Sequence, residues 1–430
     1  MSNYKSHHGG IYVAVLGVCL LVMTLGLGGL LAARAHAGTA LDIRSTLRVQ
    51  AASMGAVELA RLAVASDASW RTTFTSGSWS SPLTLGTAQI RWRLIDPADG
   101  NLADDASESI VVEGMATLAG CTRVTAVSLR PSKQPLDVLA STIHAAGSLE
   151  NSGILTTSGR GVSTAGTLTN NGVIRGDASA LLALGTGNVT GTTVILSLAP
   201  SMPPNAVFDT YKTRATPIAW GGGAGDWTIT WPLLSAGINP SGSGTNADGI
   251  YTITVPSSRV LYLELYRIRG TLVIECGDKA CVQITKAISW EAHRTDLPTL
   301  LIRHTTATNT QDSISPAIGT LSESALGQNL NPIGSPFNRT ENATLTDSYP
   351  SRIDGLVHVI FPAGNLGGSS VLIGSGASLR GTLLTTGIAS IPASGAFLTF
   401  DEALFADPPE GYFTASMQII PGTWMPVAAP

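Results

Sequence analysis

Charge is scarce in this chain: only 13% of its 430 residues are Asp, Glu, Lys or Arg, and they leave a net charge of -4 with a pI near 6.0. Without a basic excess there is no stripe to neutralise a phosphate backbone, so no nucleic acid partner is expected. Cysteine is equally sparse. Cys19 sits in an apolar run, Cys121 stands alone, and Cys276 and Cys281 flank the turn-like residues 277–280. A zinc site needs four ligands, and no second Cys or His pair stands at ligand spacing nearby. Cys276 and Cys281 therefore read as a short-loop disulfide or as two free thiols.

Catalytic signatures are missing too. The sequence contains no GxSxG, HExxH or P-loop, and His144, His293, His304 and His358 are scattered without partners at motif spacing. No catalytic residue, no cofactor and no enzymatic activity are expected. Glycoside hydrolysis would need two carboxylates flanking the bond, and the central repeat offers Glu150 and Asp177, with Arg160 and Arg175. A β-helical carbohydrate-active enzyme stays open as an alternative on that basis.

What the chain does have is one long apolar run. A polar leader (residues 1–10) leads into an uninterrupted apolar stretch (11–33), which ends at Arg34. About twenty apolar residues at ~1.5 Å rise each cross a hydrocarbon core of ~30 Å, so 11–33 reads as a transmembrane helix. Lys5 marks the retained, cytoplasmic side, although Arg34, Arg44 and Arg48 weaken the charge asymmetry. Ala35 and Ala37 also fit a signal-peptidase site, but the apolar run is long for a signal peptide. Residues 34–73 continue as an amphipathic helix, with Leu47, Ala51, Met54, Leu62 and Ala65 near one face and Glu58 and Arg61 spaced for a pair.

Lys5, the Gly9 and Gly10 pair and the abrupt apolar helix resemble the class III leader of type IV prepilins and type II secretion pseudopilins. The resemblance implies cleavage by a prepilin peptidase after Gly10, leaving Ile11 as the mature N-terminus. It also implies a bacterial inner-membrane protein with its ectodomain in the periplasm or on the cell surface, and partners among other pilin-like subunits and the assembly machinery. Most such pilins carry glutamate at the fifth mature position, where this chain has Val15. That departure argues against a major, polymer-forming subunit and leaves a minor one open, since tip-located minor members of the family often lack the glutamate. The segment "AASMGAVELARLAVASDASWRTT" (51–73) is similar to PilX-type minor pilins, and "LTFDEALFADPPEGYF" (398–413) resembles their terminal segment. In that reading Val15, Glu58 and Arg61 belong to the assembly helix.

The remainder is rich in turn formers, with 47 glycines and 23 prolines among 44% hydrophobic residues, a profile of short strands and corners. The alternation in "TAQIRWRLID" and "SIVVEGMATL" predicts strands in a β subdomain (74–135). Between them lie Asp96, Asp99, Asp104 and Asp105 around Gly100, weak candidates for calcium because the spacing is not an EF-hand loop. "GSLENSGIL" (147–155) then repeats as "GTLTNNGVI" (166–174), a period near nineteen residues that predicts stacked rungs with Asn151 above Asn170. Residues 354–400 continue the pattern. The expected fold is mainly β: a long N-terminal helix followed by a discontinuous right-handed β-helix-like or β-roll ectodomain (136–415), with loop insertions near 200–258 and 305–350 and a C-terminal tail (416–430). Three roles follow: a non-enzymatic pilin-like subunit of a type IV pilus or type II secretion pseudopilus, a permanently anchored adhesin or stalk, or the enzyme considered above.

Overall fold

The computed structural model describes residues 8–67, 69–105, 108–306, 309–362, 368–392 and 395–428. Lys5 and residues 1–7 of the expected leader lie outside them. The chain divides into two units, residues 1–132 with 415–430, and residues 133–414.

In the first unit a single helix, α1 (His8–Ser66), runs for 59 residues, about 88 Å at ~1.5 Å each. From Gly10 to Ile43 its side chains are exposed, as expected of a helix apolar enough to cross a membrane. It stops at Ser66 rather than at residue 73. The Asp67 carboxylate accepts hydrogen bonds from the Ser69 N–H and hydroxyl (2.8 and 2.7 Å), a side-chain turn that competes with further helix, and a single turn, Trp70–Thr73, follows.

The distal part of α1 packs on an antiparallel sheet of β1 (Leu83–Leu85), β2 (Ala88–Ile95), β3 (Ile110–Leu118) and β4 (Cys121–Pro135). The buried helix face is Val49, Ala52, Ser53, Ala56, Val57, Ala60 and Val64. This corrects the expected face, because Leu47, Ala51, Met54, Leu62 and Ala65 are all exposed. The two stripes compete on size: the small side chains let the helix backbone come close to the sheet, and the bulkier Leu and Met cannot. The closest approach is at Gly114 of β3, where a Cβ would overlap the Ser53 carbonyl. Beside it the Ser53 and Thr125 hydroxyls meet at 2.6 Å, and Val57 is fully buried, worth roughly 1.5–3 kcal/mol.

The C-terminal residues are not a tail. Strand Phe413–Ile419 lies beside β4, and Met425–Val427 pairs antiparallel with it in the register Met425 to Ala126. A sheet edge left open by the local strands is thus covered from the far end of the chain.

The second unit is a 24-stranded sheet. Its strands pair in parallel and coil into stacked rungs, a β-helix-like arrangement. One ladder of partners runs through the stack: Thr216, Tyr251, Leu272, Leu300, Val357, Leu383, Ile143, Val162, Ala178 and Thr193. Its order is not the order of the chain. The polypeptide enters mid-stack at Ile143, builds out to Ile195, then restarts at the opposite end at Thr216 and builds back until Leu383 pairs with Ile143. Helix Ala206–Arg214 intervenes between the two runs, its Phe208 and Tyr211 in one apolar cluster with Val273, Leu301, Leu356 and Leu384.

The nineteen-residue repeat falls as expected. Asn151 pairs with Asn170, and its Nδ2 donates to the Asn170 Oδ1 at 2.8 Å, a buried amide ladder. At the corners a Cβ on Gly166 would overlap the Gly147 carbonyl, so the rungs can stack only if glycine recurs there. Two expected insertions are corrected. Thr216–Ile218, Trp227–Ile229, Leu233–Ser235 and Ile250–Val255 are rungs, their three- to six-residue strands too brief to show a period. Gln311–Ile314 also joins the ladder, so the excursion is confined to about 318–350 and carries its own antiparallel pair, Thr320–Ser322 with Ser348–Pro350.

Candidate functional site

Two features of the first unit carry chemistry or contact potential. The first is the exposed length of α1. Ile11 and Val15 are 68% and 56% exposed, and none of the other described residues buries either of them. Further along, Arg61 Nη1 contacts Glu58 Oε2 at 2.7 Å across one turn, both side chains being substantially exposed. An exposed pair of this kind adds little to stability and is free to exchange for other partners.

The second is the connection between β2 and β3. Asp96 directly follows β2, and Asp99, Asp104 and Glu108 come after it on the loop. Local bonds shape it: Asp96 Oδ1 accepts from the Ala98 N–H and Asp99 Oδ1 from the Asn101 N–H, both at 2.8 Å, and Asn101 Oδ1 accepts from the Ala103 N–H at 3.2 Å. These side-chain turns curl the backbone inward. Leu102 is buried beneath the loop in the core with Trp70. Arg71 braces it, donating to the carbonyls of Leu102 (3.1 Å) and Glu108 (2.9 Å).

As a result one carboxylate oxygen from each of Asp96, Asp99, Asp104 and Glu108 lies within 4.8 Å of the others. None of the four has a Lys or Arg ion-pair partner among the described residues. The electrostatics show the crowding. The Asn101 N–H holds Asp99 below the usual carboxylate range, while contact with Asp99 pushes Asp104 up. Burial first, and then the nearby Asp96, raise Glu108. Sequence spacing singled out Asp105, which is exposed and not part of the converging set. Glu108 takes its place, four residues beyond Asp104 and just before β3, and only the loop's curl brings it in.

In the second unit the cysteines are free. The Cys276 side chain is buried in the core and Cys281 begins the next strand, so of the two readings, a short-loop disulfide or two free thiols, the structure has the free thiols. Cys276 stands in register with His304, and His304 Nε2 meets Asp312 Oδ2 at 2.7 Å. The trio superficially suggests a nucleophile, but burial and the Asp312 charge push the Cys276 thiol well up, whereas a nucleophilic cysteine needs the opposite. His144 and His358 are buried with Ser163 and Tyr412 as partners. Glu150 and Asp177 are both exposed; Asp177, which accepts from the Thr192 N–H at 2.8 Å, lines a shallow groove whose lining does not include Glu150. A different groove contains Glu291 and Asp354 on adjacent rungs, each tied to an arginine, Arg267 at 2.6 Å and Arg352 at 2.9 Å.

No family model and no curated protein matches the sequence. Among solved structures, the chain is similar to the competence-associated pilin ComZ from Thermus thermophilus, with 10% identity, a TM-score of 0.32, and coverage of 89% of this chain and 98% of that one.

Proposed function

We propose that the chain is a non-enzymatic, pilin-like membrane-anchored subunit that takes part in assembling or capping a type IV pilus or type II secretion pseudopilus. The observation that supports this most is the division of α1: its first thirty-odd residues are apolar and uncovered, and its distal half is welded to an antiparallel sheet through Gly114. Such a helix can lie in lipid and exchange that environment for the helices of other subunits, while the sheet stays outside. In this reading the N-terminus is cytoplasmic, the ectodomain is periplasmic or on the cell surface, and a prepilin peptidase cuts between Gly10 and Ile11. The stacked unit coils right-handed, the hand that parallel crossovers overwhelmingly take.

Expression in a bacterium that has a prepilin peptidase, followed by N-terminal sequencing of the membrane fraction, tests the reading. A mature chain beginning at Ile11, and its loss on Gly10→Val, is the expected result. An intact Met1 refutes processing and favours the alternative, a permanent anchor bearing a β-helical stalk or adhesin, which the long parallel stack would suit. A chain beginning at Gly38 refutes both. The carbohydrate-active reading is weaker because Glu291 and Asp354 are each committed to an arginine, and a general acid or nucleophile must be available to substrate.

A further inference from the structure

The converging carboxylates between β2 and β3 have no part in anchoring or in helix packing, and their geometry is costly unless something compensates for it. We infer that Asp96, Asp99, Asp104 and Glu108 form a calcium-binding site.

Three observations lead there. The donor oxygens all lie within 4.8 Å of one another. Oxygens bound to one calcium ion at about 2.3–2.6 Å stand at most roughly 5 Å apart, so a single centre reaches all four. The second observation is independent of the clustering. Asp96 is only 4% exposed; its Oδ1 is used by the Ala98 N–H, but its Oδ2 is buried with no hydrogen-bond partner among the described residues. Glu108 Oε2 is in the same condition. A bare, buried carboxylate oxygen beside other carboxylates is stable only if a proton or a cation meets it. The third is the bracing. The side-chain turns occupy Asp96 Oδ1 and Asp99 Oδ1 and, with the Asn101 turn and the Arg71 contacts to Leu102 and Glu108, set the loop's curl, leaving Asp96 Oδ2 and Glu108 Oε2 without a hydrogen bond among the described residues and available to a ligand.

The donor set selects the ion. Four carboxylates offer hard oxygens and no imidazole or thiolate, which disfavours zinc. Magnesium would need the oxygens drawn in to about 2.0–2.1 Å in a near-octahedral shell and sheds its waters reluctantly. Calcium accepts six to eight oxygens in an irregular shell, so mono- and bidentate carboxylates, carbonyls and water can complete it.

The test uses the full-length protein in detergent micelles, stripped with a chelator and dialysed. It is titrated by calorimetry with calcium chloride and, separately, magnesium chloride, with thermal unfolding followed in parallel. One saturable calcium site per chain is expected, with a Kd of about 10⁻⁵–10⁻³ M, a rise in unfolding midpoint, and magnesium at least tenfold weaker. Asp104→Asn and Glu108→Gln should each weaken calcium binding tenfold or more without lowering the calcium-free midpoint, since each removes a repelling charge. Asp105→Asn should bind as the wild type does. No saturable heat up to about 10 mM, equal response to both ions, or wild-type affinity in both variants would overturn the site. A null result here would leave the membrane-subunit reading untouched, because that reading is decided by the mature N-terminus.

Discussion

Replacing Gly114 by alanine probes the contact that joins α1 to its sheet. The added Cβ would overlap the Ser53 carbonyl and stand 2.8 Å from the Val57 nitrogen and 2.9 Å from its Cγ2. Two of these three obstacles are backbone, so no rotamer change relieves the clash and the helix must move off the sheet. That movement would stretch the 2.6 Å contact between the Ser53 and Thr125 hydroxyls and open the packing around Val57. Overpacking of this kind costs about 1–3 kcal/mol, or more where backbone is the obstacle. For a domain of this size class each kcal/mol lowers the midpoint by about 2–4 °C, so a loss on the order of 2–12 °C is expected. Gly55→Ala on the helix itself is the matched control. Its new Cβ would meet only the terminal Cδ2 of Leu85 at 3.0 Å, a flexible end that can swing away, while helix propensity improves by about 1 kcal/mol. Circular dichroism melts in detergent, with tryptophan fluorescence as a second probe, separate the two variants. If Gly114→Ala melts with the wild type, or both glycine variants are destabilised alike, the close-crossing argument is wrong.

Two further outcomes follow from the stacked unit. Asn170→Ala removes the acceptor for a buried amide and should cost about 1–3 kcal/mol in urea unfolding, whereas the exposed neighbour Asn171→Ala should be near neutral. Burial depresses His144 to about 4 and His358 to about 3, so both stay neutral in the fold while the unfolded chain protonates near 6.5. The stability they permit is therefore full above pH 6.5 and falls with acidity at about 1.4 kcal/mol per pH unit for each histidine, down to its folded value. Unfolding at pH 7, 5.5 and 4.5 should show stability falling with acidity, and His358→Gln should reduce that slope by about 1.4 kcal/mol per pH unit; an unchanged slope refutes the assignment.

How much of this was legible beforehand depended on how local each signal is. The apolar run, the alternation in β2 and β3, and the Asn151 and Asn170 repeat are periodic within ten to twenty residues, and each appears where its period put it. The buried face of α1 was not legible, because both faces of the helix are apolar and hydrophobicity alone could not tell the Ala and Val stripe from the Leu and Met stripe. Side-chain size decided, and its measure lay at Gly114, some fifty residues away. Glu108 was missed for a similar reason: nothing in "DPADGNLADDASE" ranks it above Asp105 until the loop curls.

By itself the sequence determined a helix long and apolar enough for a membrane, the glycine corners that let rungs stack, and the absence of catalytic and metal signatures of familiar spacing. Those properties arise from composition and short-range periodicity, which any local segment carries with it. Only the tertiary structure decided the order of the rungs, with Leu383 laid beside Ile143, and the return of residues 413–427 to β4. Parallel pairing is made by backbone groups that are alike in every strand, so the choice of partner rests on long-range packing that no single segment encodes.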